Sequence, residues 1–273
     1  MCSGCDDPNH VAATFDRRNL LIGSAGLAAT GLIANAASAK TKETTADLGP
    51  TAAHAWAATD KSNFAPMKIQ RRALGPNDVR MEILYCGICH SDIHMVRAEW
   101  MPAHYPMVPG HEIIGRVTAV GPKVTKFRIG DIGGVGCMVD SCGHCVECLA
   151  DREHACLNGM TLTYASPDKI SGETTQGGYS TGIVVTEKFV IRIPPGVNLA
   201  GMAPLLCAGI TTFSPLQHWK ASRGMKVGVI GLGGLGHMAV KLAVAKGADV
   251  TVFTTTHRNQ DAALIMGARD AVL

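Results

Sequence analysis

Met225-Lys-Val-Gly-Val-Ile-Gly231-Leu-Gly233-Gly234-Leu235-Gly236 is an apolar strand running straight into G-x-G-x-x-G, and residues 237–246 after it read as a helix. A glycine triplet alone is a weak signal, but this one has both the strand before it and the helix after it that the motif requires. Gly231 allows the tight turn, Gly233 lets backbone approach a pyrophosphate, and Gly236 permits close packing of helix on strand. The helix start then offers free amide donors and positive potential to phosphate. Gly231, Gly233, Gly234, Leu235 and Gly236 are therefore the expected dinucleotide contacts. Helix and strand alternate from residue 199 onward, the signature of a parallel α/β sheet.

The next strand, Asp249-Val-Thr-Val-Phe253, ends in Thr254-Thr255-Thr256-His257-Arg258. An Asp or Glu about twenty residues after the first glycine binds the ribose 2′-hydroxyl of NAD. Here no carboxylate stands in that place. Hydroxyls and a nearby guanidinium accept a 2′-phosphate, so Thr254, Thr255 and Arg258 point to NADP.

Upstream, Cys142, Cys145, Cys148 and Cys156 form a Cys-x2-Cys-x2-Cys-x7-Cys ladder. Two-residue gaps let tight turns aim the sulfurs at one point, and four thiolates close a tetrahedral shell around zinc. Such a site has no open position and is structural. A ferredoxin-type cluster run has three residues before its fourth Cys and then Pro. This gap is seven and Leu157 follows, so zinc is the expected metal.

The residues around the ladder read as short strands and turns. Residues 79–86 and 113–120 alternate at period two, and 181–193 reads as a further strand pair closed by Pro194-Pro195-Gly196. The chain of 273 residues is 47% hydrophobic with a net charge of +3, enough for two cores and giving no reason to expect nucleic acid as a partner. Near the start, Arg17-Arg18 precedes an apolar Gly/Ala-rich run over residues 20–37, and Ala37-Ser38-Ala39 supplies a cleavage pattern. This layout predicts a twin-arginine export signal over 1–39, hence the export machinery as partner and a periplasmic or exported location, with a cytoplasmic protein the alternative. Residues 40–53 read as a flexible lead, 54–198 as the β-rich domain and 199–273 as the α/β part. Cys86 and Cys137, in apolar strand-like runs, read as buried core thiols.

Three further stretches carry metal-ligand chemistry. Cys86-Gly-Ile-Cys89-His90-Ser91-Asp92-Ile93-His94 packs thiols, imidazoles, a hydroxyl and a carboxylate together, Gly110-His111-Glu112 adds a His–Glu pair, and Cys207 stands where the two domains meet. Taken with Gly110-His111-Glu112-x2-Gly115-x5-Gly121-x2-Val124, residues 136–145, 205–211 and 231–237, the chain resembles the zinc-dependent medium-chain alcohol dehydrogenases, most of all the cinnamyl alcohol dehydrogenase branch. The resemblance runs from about His54 to the end.

That resemblance implies an α/β-plus-β architecture: a GroES-like β-barrel catalytic domain, partly open, followed by an incomplete Rossmann domain, a doubly wound parallel sheet. It implies a catalytic zinc on Cys89, His111 and Cys207 with Glu112 beside it, a match to the Cys2His set known from alcohol dehydrogenases. A second, structural zinc falls on Cys142, Cys145, Cys148 and Cys156. Ser91 and His94 match a proton relay and Asp92 an orienting partner. The implied activity is NADP-dependent interconversion of a small aldehyde and its primary alcohol. Members of the family form homo-oligomers through the Rossmann domain. Because the sequence stops just after Asp270, a truncated, non-catalytic zinc-binding remnant is the alternative expectation.

Overall fold

The computed structural model describes residues 48–273, so the export signal expected over 1–39 lies outside the described residues. The first elements are β1 (Thr51–Ala58) and β2 (Phe64–Arg71), an antiparallel hairpin in which β1 buries Ala53, Ala55 and Ala57 at alternate positions. β1 thus starts inside the stretch 40–53 read as a flexible lead. Next come β3 (Asp78–Cys86), α1 (His90–Val96), β4 (Ile113–Val120), β5 (Ile132–Val135), β6 (Met138–Asp140), α2 (Val146–Leu149), β7 (Thr161–Leu162), β8 (Gly182–Thr186) and β9 (Ile191–Arg192).

Five of these strands form an antiparallel sheet in the order β8-β3-β4-β5-β9. Val79, Met81, Ile113, Val117, Val135, Ile183 and Val185 meet beneath it around Phe127 and Val190. The hairpin is tied to the loops next to the sheet through bridges from Ala55 to Ser180, just before β8, and from Ala58 to Met107, before β4. The strands predicted over 181–193 exist, but they do not pair with each other. A 3-10 turn at Glu187–Phe189 separates them and sends β8 to β3 and β9 to β5, at opposite edges. Alternation in β3 is also interrupted: register shifts at Arg80/Met81 and Ile83/Tyr85 turn Tyr85 outward and pack Cys86 against the core. An extra residue on one strand of a ladder has this effect on the side chains that follow it.

The remaining elements are α3 (Leu199–Met202), α4 (Ala208–His218), β10 (Lys226–Ile230), α5 (Gly234–Ala245), β11 (Asp249–Phe253), α6 (His257–Ile265) and β12 (Asp270–Val272). The three strands form a parallel sheet, β10-β11-β12, and its core is Val229, Val250 and Val252 under Val240, Ala243 and Ala263. Crossover helices on a parallel sheet are the first half of a doubly wound fold. α4 begins directly after Cys207 and packs along α5, which ties the metal-ligand region to the nucleotide half.

Candidate functional site

In the ladder region the four cysteine sulfurs lie within 4.8 Å of one another. Cys142 Sγ and Cys148 Sγ are 3.8 Å apart, the edge of a tetrahedron whose centre sits about 2.3 Å from each sulfur. All eight described cysteines are free thiols. Backbone amides reach the sulfurs: Cys142 N donates to Cys156 Sγ at 3.4 Å and Cys145 N to Cys142 Sγ at 3.4 Å. The backbone bond from His144, helped by Asn158, brings the Cys142 thiol down to about 5. The donors present therefore fit a closed, four-thiolate zinc shell.

A second cluster forms from residues far apart in the chain. Cys89 precedes α1, His111 and Glu112 precede β4, and Cys207 precedes α4, yet their ligand atoms also fall within 4.8 Å. Cys89 Sγ and Cys207 Sγ are 3.8 Å apart. His111 Nδ1 faces Asp92 Oδ1 at 3.2 Å, while its Nε2 is buried with no hydrogen-bond partner. A buried polar atom without a partner costs about 1–3 kcal/mol. Aimed at two sulfurs and a carboxylate, it fits a metal ligand. Burial opposes charge on His111, but the neighbouring Asp92 and Cys207 outweigh it and raise the imidazole to about 11. Burial also pushes the Glu112 carboxyl up to about 7. Gly87 makes room for it, since a Cβ there would stand 2.0 Å from Glu112 Oε2.

The expected relay residues Ser91 and His94 lie three apart in α1, on one helix face. His94 stacks on Trp100 with ring centroids 4.6 Å apart, and its Nδ1 pairs with the Glu99 carboxylate. The nucleotide residues meet through the sheet. Gly231 N donates to Phe253 O at 2.8 Å, which sets the glycine turn beside the end of β11, where Thr254 is buried and Thr255 and Arg258 are exposed. Gly231 has φ +82°, and α5 starts at Gly234, earlier than expected. A Cβ on Gly233 or Gly234 would meet nothing within 4 Å, whereas one on Gly236 would stand 2.0 Å from Gly231 O. The first two leave space for a ligand, and the third is needed by the turn itself.

Residues 75–195 match the alcohol dehydrogenase GroES-like domain. The chain is 57% identical over 213 residues to aldehyde reductase YahK of Escherichia coli (strain K12), covering 78% of this chain and 61% of that protein. Among solved structures, a cinnamyl alcohol dehydrogenase from Sorghum bicolor superposes with TM-score 0.79 at 46% identity, covering 82% of this chain and 64% of that one. A CAD from Helicobacter pylori complexed with NADP(H) gives TM-score 0.78 at 48% identity over 82% and 65%. Residues 75–195 belong to the alcohol dehydrogenase GroES-like domain family.

The chain spans about 61% of the length of the curated relative just described. One reading of its cysteines needs correcting. Cys137 is exposed, so it is not a buried core thiol, whereas Cys86 is partly buried and packs against the sheet core as expected. Cys137 follows the end of β5, and hydrogen bonding with the neighbouring Cys207 thiol lowers the Cys137 thiol below its usual range. Two further groups were missed from sequence. Tyr179 donates to Asp92 Oδ2 at 2.8 Å, and the ring of Tyr164 stacks on His111 at 5.8 Å. No local pattern announces either tyrosine, because their partners are 87 and 53 residues away, respectively.

Proposed function

We propose that this chain carries the zinc- and nucleotide-binding parts of an oxidoreductase that transfers hydride between NADP(H) and an aldehyde or primary alcohol. The observation that carries the reading is His111 Nε2, buried and unpartnered, facing sulfurs 3.8 Å apart. Cys89, His111 and Cys207 would hold the catalytic zinc, with Glu112 as the fourth donor. Zinc there draws electron density from a substrate oxygen, and the nucleotide supplies or takes the hydride. Ser91 and His94 are the route for the proton. With Nδ1 held by Glu99, the other nitrogen of His94 is the one that exchanges with solvent. The four thiolates of residues 142–156 would hold the structural zinc. Folded, zinc-loaded protein should oxidise NADPH steadily with cinnamaldehyde or an aliphatic aldehyde. A chain that holds two zinc ions and binds NADPH without turnover would instead be a non-catalytic zinc-binding protein.

NADP preference rests on Thr254, Thr255 and Arg258, which follow β11 where NAD would require a carboxylate, and the Helicobacter structure named above holds NADP(H). A charge-assisted contact to the 2′-phosphate contributes about 1.5–3 kcal/mol, so NADPH should bind roughly ten- to a hundredfold more tightly than NADH. Thr254→Asp should reverse that order in a fluorescence titration, because its carboxylate repels the phosphate and accepts from the ribose hydroxyls. Equal affinities in the unmodified chain would remove the case for NADP. Arg17-Arg18 and the apolar run after it support export by the twin-arginine machinery. Fractionation of cells should then find the protein in the periplasm, and a wholly cytoplasmic protein would overturn export.

A further inference from the structure

Asp92 is bonded from several directions. It accepts from Cys89 N at 3.0 Å, from Gly110 N at 3.1 Å and from the Tyr179 hydroxyl at 2.8 Å, and the nearby Tyr164 hydroxyl also lowers its carboxyl. Its remaining contact is His111 Nδ1. The second carboxylate oxygen thus has a donor from a distant part of the chain, and that donor must itself be held in place.

Tyr179 lies in residues 176–182, a strap laid along the backbone just before His111. Gly177 N donates to Val108 O at 2.6 Å, Gly178 N to Gly110 O at 2.8 Å and Tyr179 N to Pro109 O at 3.0 Å. Glycines make this approach possible. A Cβ on Gly177 would stand 2.4 Å from Pro109 O, and one on Gly178 would stand 2.4 Å from Ile113 Cγ1. Gly110, at φ +101°, would press its Cβ to 2.7 Å from Tyr179 Cδ1. On its other side the strap is gripped by Arg71, which is 8% exposed. The Arg71 guanidinium donates from Nε to Gly182 O at 2.7 Å, from Nη1 to Gln176 O at 2.5 Å, and from Nη2 to Gly177 O at 2.8 Å and Ser180 Oγ at 2.7 Å. A planar fork with fixed donor directions can hold several carbonyls at once, and an ammonium cannot reproduce that pattern.

We propose that Tyr179 and Tyr164, with Arg71 acting through the strap, are positioning residues for the metal ligand His111. They fix Asp92, and Asp92 fixes the imidazole so that Nε2 faces Cys89 and Cys207. The proposal rests on the reading that Cys89, His111 and Cys207 hold zinc. Partners of this kind typically change metal affinity ten- to a hundredfold when lost.

The test follows zinc release from the full chain to a chromogenic chelator. Wild type should release zinc in two phases, and Cys89→Ser, which lacks the His111 site, should keep only the four-thiolate phase. Tyr179→Phe should accelerate the Cys89-dependent phase about tenfold and leave the other unchanged. Its cobalt-substituted form should show shifted visible d–d bands, a change that a loss of stability alone does not produce. Arg71→Lys should act in the same direction, and Tyr85→Phe, at an exposed tyrosine of β3, should change neither phase. If Tyr179→Phe does not fold, Tyr164→Phe decides by the same two readouts. Wild-type release and an unshifted cobalt spectrum in the folded tyrosine variants overturn the proposal. A wild-type chain with only the four-thiolate phase overturns the metal reading, and the proposal with it.

Discussion

Cys145→Ser yields a chain that fails to fold or aggregates, with the four-thiolate zinc absent. The segment 142–156 has little else to hold it. α2 is four residues long, far below the length at which an isolated helix is stable, and Val146, Leu149 and Leu157 face solvent at 66%, 72% and 69% exposure. Its sulfurs point inward and its apolar side chains point out, so metal–thiolate bonds take the place of a core. Structural zinc supplies on the order of 10 kcal/mol of folding free energy, comparable with the whole stability of an ordinary domain at about 5–15 kcal/mol. Zinc content and thermal unfolding of the purified variant measure the effect. A monomeric Cys145→Ser chain with wild-type melting behaviour would show that this loop is not held by metal. Strong chelation of the wild-type chain should reproduce the variant.

Cys89→Ser has a different outcome: a folded chain with one zinc ion where wild type has two. Cys89 is the residue that caps α1, and its amide is already satisfied by Asp92 Oδ2 at 3.0 Å. Serine is among the preferred residues at a helix N-cap, so the helix start is kept. What disappears is the thiolate. A serine hydroxyl stays protonated near neutral pH and is a poor zinc ligand, leaving His111 and Cys207 too few donors. Aldehyde reduction, if the chain performs it as proposed, should fall on the order of a thousandfold, the equivalent of about 4 kcal/mol of charge stabilisation. Metal stoichiometry and circular dichroism separate this from misfolding. Two zinc ions in folded Cys89→Ser protein would exclude Cys89 as a ligand.

The contrast between these two variants follows how legible each site is in the sequence. Local spacing alone determined the four-thiolate loop and the glycine turn, because all their ligand-facing atoms come from one short segment whose turn geometry fixes where they point. Strand–turn–helix order around residues 225–246 likewise set the parallel sheet, and the missing carboxylate at Thr254 set the expected nucleotide. The Cys89–His111–Cys207 cluster was known from sequence only through family resemblance, since Cys89 and Cys207 are 118 residues apart. Only the tertiary structure showed that His111 Nε2 is left without a protein partner, that Tyr179 reaches Asp92, and that Cys137 stands exposed beside Cys207 rather than in the core. It also sent β8 and β9 to opposite edges of the sheet, where period-two alternation suggested a pair. Alternation records which face of a strand is buried and carries no information about its neighbour. Hydrogen bonds between distant segments, such as those Arg71 makes to residues 176–182, arise only when the packed sheet brings their donors and acceptors within about 3 Å.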